Sequence, residues 1–220
     1  MEIEILKPDD LKSLLTSFNI PFEHWGRKDD PLNGALLSRP FEYLYREAEI
    51  GASRFIVKDR ILIRFISIVD LRVFEPVNGS TWHQIVQISR EDASGNERYW
   101  QVKRGITTKV RRDEMVMDAA RRALLVKAKY KGVIRDIHPE SNRPLAPYLS
   151  RSFPGLKCAG IDYVLVCEIP KGHLNRRFEM VHERPDGGKS NFRRRPVQFE
   201  ALPRAIRENH EQRRNLQKLI

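Results

Sequence analysis

The chain has 220 residues, 40% of them apolar and 31% charged, with a formal net charge of +11 and only two cysteines. That balance suits a soluble globular protein of one domain with an appendage, or two small domains. It excludes a disulfide-stapled module, and no apolar run approaches the roughly 18 to 20 residues that a membrane helix needs. Residues 1–100 hold 13 Lys/Arg against 16 Asp/Glu, a balance of −3. Residues 101–220 hold the remaining 27 and 13, a balance of +14. A one-sided excess of this kind signals attraction to a polyanion.

The opening "MEIEILKPDD" is acidic and carries neither a secretory signal nor an Arg-rich transit pattern, so an intracellular protein of the cytoplasm is expected. Cys158 and Cys167 then read as buried, reduced thiols. "DDLKSLLTSF" predicts a helix with Leu11, Leu14, Leu15 and Phe18 on one stripe. "NIPFEHWGRKDDPLNG" is broken by Pro21, Gly26, Pro31 and Gly34 and reads as loop. "RPFEYLYREAEIG" predicts a second helix, with Phe41, Leu44, Tyr45 and Ala48 facing inward and Gly51 as its C-cap. Residues 1–54 thus form a helical extension.

From Arg54 the period becomes that of strands. In "RFIVKDRILIRFISIVDLRVF" the segment Ile61 to Ile66 is apolar on most of both faces, as in a central strand. "TWHQIVQISRED" and "NERYWQVKRGITTKV" predict two strands joined at "ASGN". Asp113 to Tyr130 predicts a helix with Met117, Ala120, Leu124 and Ala128 on one stripe, widened by Val116 and Ala123, and with Asp118 and Arg122 as an i,i+4 ion pair. A loop holding Pro139, Pro144, Pro147 and Pro154 leads to a central strand, "CAGIDYVLVCEI". "RFEMVHERPDGGKSNFRRRPVQFEAL" predicts a long hairpin turning at Asp186, Gly187 and Gly188. Residues 204–220 close the chain as a basic helix whose few apolar positions include Ile206, Leu216 and Leu219.

This order is that of an α/β (α+β) fold, an α/β/α sandwich around a mixed sheet, and at the helix after "ITTKV" it becomes residue-specific. A Nudix box reads G-x5-E-x7-R-E-U-x-E-E-x-G-U, with U aliphatic. Aligned on Glu114, the seven-residue gap lands on Arg122, Leu124 falls on the aliphatic position, and Ala119-Ala120 supply a small pair for packing. The chain over residues 55–203 therefore resembles the Nudix hydrolase superfamily. The three metal-binding glutamate positions hold Ala123, Val126 and Lys127; the two glycine positions hold Thr108 and Lys129, and the last aliphatic position holds Tyr130. The resemblance implies a Nudix-like domain whose box keeps its frame, with Glu114 and Leu124 as structural members, and has lost its acids.

Nudix hydrolysis needs Mg²⁺ or Mn²⁺ held by several oxygen ligands. Ala123 and Val126 have none to offer, and an ammonium about 4 Å from a divalent ion would be repelled by the order of 8 kcal/mol at an effective dielectric constant near 20. No catalytic residue, metal or cofactor is therefore expected. Mg²⁺ or Mn²⁺ enters only under an alternative in which Glu140, Asp162, Glu168 or Glu179 restores the ligands and the chain hydrolyses a nucleoside diphosphate derivative. The first expectation is a pseudoenzyme that binds an anionic partner (RNA, a ribonucleoprotein or a nucleotide) as an assembly or regulatory module. A third possibility is an unrelated α+β nucleic-acid-binding protein. The expected phosphate-binding residues are Lys127, Arg122, Arg121 and Arg112 on or beside the helix, and Arg193, Arg194 and Arg195 on the hairpin. Phe178 and Phe192, interleaved with those arginines, either stack on bases or point into the core. The final helix is a further surface for a protein partner. The six histidines lack metal-ligand spacing, and no Walker, Rossmann or nucleophile-elbow pattern occurs.

Overall fold

The computed structural model describes residues 2–26, 38–78, 80–91, 97–132, 134, 136–150, 152–172, 179–183 and 189–217. The expected turns at 93–96 and 186–188 lie outside them. The chain is an α+β protein. Its elements run β1 (Glu2–Ile3), α1 (Pro8–Ser17), α2 (Phe41–Glu49), β2 (Arg54–Lys58), β3 (Ile61–Pro76), β4 (Thr81–Glu91), β5 (Glu97–Arg104), β6 (Ile106–Lys109), α3 (Val116–Lys127), β7 (Ile137–Leu149), β8 (Lys157–Glu168), β9 (Glu179–Glu183), β10 (Lys189–Gln198) and α4 (Arg204–Gln217). The strands pair in the order β1-β2-β3-β4-β10-β9, with β5 on β4, β6 and β8 on β3, and β7 on β8. Gly160 of β8 lies against Ile66 and the Ile169 N–H reaches the Phe74 carbonyl at 2.9 Å, so β8 runs parallel to β3. The β1–β2, β2–β3, β3–β4, β4–β5, β4–β10 and β9–β10 ladders are antiparallel, which makes the sheet mixed.

Chain contacts define two compact units. The first comprises Met1–Ile68, Lys109–Met115 and Arg143–Asp162. Its core is built by the apolar stripes of the first two helices: Leu11, Leu15, Leu44 and Ala48 are buried with Phe55, Leu62, Phe153 and Leu156. Helix α1 starts where Pro8 sets the backbone and the Asp10 carboxylate accepts the Lys7 N–H at 2.8 Å. Helix α2 stops at Gly51, whose φ of 66° lets its N–H return to the Ala48 carbonyl at 2.9 Å. Asp59 and Arg60, at φ 50° and 59°, form the two-residue link between β2 and β3.

The second unit comprises Val69–Thr108, Val116–Asn142 and Tyr163–Ile220. Phe74, Trp82, Val166, Val197, Leu202 and Ile206 form one of its cores, and helix α3 buries Ala119, Ala120, Ala123 and Leu124. Helix α3 is shorter than its predicted span, because Lys129 sits at φ 50° and the Tyr130 N–H folds back to the Leu124 carbonyl at 3.2 Å. This is a Schellman-type stop at the position where the box has its second glycine.

Two expectations are corrected. Pro139, Pro144 and Pro147 stand in strand β7, not in a loop. Among the described residues β7 pairs only with β8, and it is mostly exposed, so its prolines cost no central ladder bond. Phe192 is buried at 2% exposure, which settles its role as core rather than as a base platform; Phe178 lies outside the described residues.

Candidate anion-binding site

Helix α3 places the box positions by its own periodicity. Ala123 is 1% exposed and packs inward; Val126 is 51% exposed and presents methyl groups. The Lys127 ammonium donates to the Thr107 carbonyl, and the Arg122 Nη1 donates to the Thr108 hydroxyl at 3.2 Å. Neighbouring residues of β6 thus receive both cations, so the structure brings Lys127 and Arg122 onto the same strand. Thr108, which aligns with the first glycine of a Nudix box, supplies the hydroxyl that holds Arg122. Asp118 pairs with Arg121 at 2.9 Å, one position earlier than the expected Arg122, and both side chains of that pair stay in solvent.

Among the described residues no group of three His, Cys, Asp or Glu side chains could hold a metal ion. Two of the acids considered as alternative metal ligands face guanidinium groups. Glu140 accepts from Arg72 at 3.0 Å, and Glu168 is gripped bidentately by Arg213, both bonds at 2.8 Å. Asp162 belongs to the first unit and is partly exposed, and the Glu179 side chain lies outside the described set. Both cysteines are buried free thiols, as expected; burial, then the Glu168 charge, pushes Cys167 up to about 12.

The three hairpin arginines separate by strand alternation. Arg193 is exposed and stands opposite Val86; Arg195 is partly exposed and stands opposite Gln84. Arg194 turns the other way, half sunk between Glu75 at 3.9 Å and the His83 Nδ1 at 3.2 Å. Burial and the Arg194 charge depress the His83 pKa. So Arg193 and Arg195 present charge outward, while Arg194 is tied into the sheet. On α4, Ile206 is buried against Trp82 and Leu202, which anchors a helix too polar to bury alone. Arg176, Arg177, Arg184 and Lys218 lie outside the described residues.

Arg112 and Glu114 belong to the first unit. The Arg112 N–H bonds the Ile50 carbonyl at 3.2 Å and its guanidinium lies 3.4 Å from Glu4; the Glu114 carboxylate accepts the Arg111 N–H at 3.1 Å.

The sequence reading missed a buried charge cluster in the same unit. Arg64, on the inward face of β3 between Leu62 and Ile66, is 4% exposed. Its guanidinium bonds Glu47 of α2 and the Ser53 hydroxyl, and lies 4.9 Å from the Phe153 ring centroid. Lys109 bonds the same carboxylate, and Arg39 lies 3.8 Å away. Burial alone would raise the Glu47 pKa, but Lys109 and Arg64 reverse that and hold it at about 2. Lys109 is pushed down to about 7 by burial and then by Arg64, against the pull of Glu47. A lone Arg at an inward position of "ILIRFI" was the available signal for a buried partner.

The chain is an α+β protein whose helix α3 carries Arg121, Arg122 and Lys127 beside Ala123 and Val126. No family model matches this chain. No curated protein matches it either. Among solved structures it is similar to a Nudix hydrolase from M. smegmatis, RenU, at 14% identity and a TM-score of 0.31, covering 76% of this chain and 96% of that one. Among the described residues no helix is long and apolar enough to cross a membrane.

Proposed function

We propose that this chain is a Nudix-like pseudoenzyme, a binding or assembly module for an anionic partner of the RNA or ribonucleoprotein class, in which a nucleotide could be held but not cut. The observation that carries the reading is the α3 face: where a hydrolase would present three carboxylates it presents a buried methyl, an exposed isopropyl and an ammonium anchored on the Thr107 carbonyl. Two hard-cation ligands are replaced by groups with no lone pair, and the third by a group of the wrong sign. The +14 balance of residues 101–220 supplies the attraction. Arg193 and Arg195 on β10, Arg121 and Lys127 on α3, and Arg112 offer guanidinium and ammonium donors to phosphate oxygens. Arg122 and Arg194 serve by holding Thr108 and Glu75.

Fluorescence anisotropy with a single-stranded RNA, run across a salt series, tests this. The expected slope of log K against log salt is steep and negative, about −0.7 for each phosphate neutralised. Lys127→Glu weakens binding more than Lys12→Glu, an exposed control on α1. A flat salt response, or equal losses from both variants, removes the proposal. So does Mg²⁺- or Mn²⁺-dependent turnover of ADP-ribose, NADH, a diadenosine polyphosphate or capped RNA by the pure protein.

A further inference from the structure

The first unit contains a cavity of about 280 Å³ walled by Arg54, Arg111 and Arg112 together with Phe65, Glu2 and Glu114. Backbone structure puts each cation there. Arg54 begins β2 directly opposite Phe65 of β3, and its guanidinium lies 5.0 Å from that ring's centroid. Arg111 and Arg112 follow Val110, whose N–H bonds the Ser67 carbonyl at 2.9 Å. Gly51 lets this segment approach: a Cβ there would collide with Arg112, and its φ of 66° is a conformation that glycine adopts without strain.

The lining holds three arginines and two glutamates, and the Glu114 carboxylate accepts the Arg111 N–H at 3.1 Å. Glu2 lies 3.8 Å from Arg54, and Glu4 lies 3.4 Å from Arg112. Among the described residues the Arg111 guanidinium has no hydrogen-bond or ion-pair partner.

We infer that this cavity binds a phosphate monoester of about mononucleotide size. Guanidinium forks match the oxygen spacing of a phosphate, and the unpaired Arg111 is the group such an oxygen would satisfy. The volume of about 280 Å³ falls just below the roughly 300 to 1,000 Å³ of small-ligand pockets, which limits the occupant to a small one. The Arg54–Phe65 stack offers a flat surface on which a base can lie. The two wall carboxylates limit how much negative charge the cavity accepts, so one dianionic phosphate is preferred to a chain of them. This inference turns on Arg111 and on a mononucleotide probe, so it fails separately from the RNA reading even though Arg112 belongs to both.

Isothermal titration calorimetry with AMP on the full chain tests it, with adenosine and ATP as comparators. Saturable AMP binding is expected, tighter than that of either comparator. Arg111→Gln weakens it by about tenfold or more, and Arg111→Lys, which keeps the charge but not the fork, falls between. Lys12→Gln changes nothing. Arg111 is exposed and unpaired, so the thermal midpoint of the free variant stays at the wild-type value. The inference is overturned if AMP does not bind, if adenosine binds as tightly as AMP, or if Arg111→Gln and Lys12→Gln have the same effect.

Discussion

Glu47→Gln removes one negative charge and almost no volume from a carboxylate that three cations share. Glu47 is the acid for Arg64, Lys109 and Arg39, and Arg64 is almost wholly excluded from water. The carboxyl is held at about 2 where an exposed one would titrate at 4.5. That drop corresponds to about 3 kcal/mol of stability at neutral pH, within the range of roughly 3 to 5 kcal/mol expected when one partner of a buried ion pair is removed. The sign follows from the depressed acid. The contribution is complete above pH 4.5 and is lost as pH falls from 4.5 to about 2, where the native carboxylate takes up a proton. Urea unfolding of both proteins at pH 7 and at steps down to pH 2 measures it. The variant is weaker by about 3 kcal/mol at pH 7, and the two curves converge toward pH 2. Replacing Glu47 and Arg64 together by Leu and Met restores part of the loss, since the most deeply buried cation then leaves with its carboxylate and only the more exposed Lys109 and Arg39 remain. A deficit below about 1 kcal/mol at pH 7, or one that does not depend on pH, refutes the reasoning.

Lys109 is the mirror case. Its native pKa of about 7 lies below the 10.5 of an unfolded lysine, so the native state sheds the proton first and stability rises with pH across that window. A Lys109 side-chain resonance that titrates near 7 by NMR checks it; titration near 10 alone sinks it. Lys129→Gly relieves a left-handed residue at the C-terminal stop of α3 and raises the unfolding free energy by about 0.5 to 1 kcal/mol, read from the chemical-denaturation midpoint. Phe192→Ala costs about 3 to 5 kcal/mol, because that ring is core, whereas Arg193→Ala on the next position leaves stability within about 0.5 kcal/mol and lowers RNA affinity.

Periodicity made much of the fold readable. Leu11 and Leu15, Leu44 and Ala48, and Ala120 and Leu124 all face inward as their spacing predicts. What escaped had physical causes. The β2–β3 link uses Asp59 and Arg60 in left-handed conformations, where a glycine would have announced the turn. The prolines of "HPESNRPLAP" suggested a loop because proline is barred from central strands, yet an edge strand such as β7 tolerates it. Asp118 chose Arg121 over Arg122 because Arg122 was drawn to Thr108 of β6, a long-range partner that helical spacing does not reveal. The types of residue at positions 123, 126 and 127 were legible from sequence alone. That the Lys127 ammonium donates to a backbone carbonyl was not, because that partner stands 20 positions away.

That tether restricts what helix α3 can accept. A glutamate introduced at position 127 by itself would set an oxygen against the Thr107 oxygen and forfeit the bond now made there. At position 123 it would need room where the surrounding core leaves 1% exposure. Under the proposed reading, each single change toward a metal-holding helix therefore costs stability before a second carboxylate can join it.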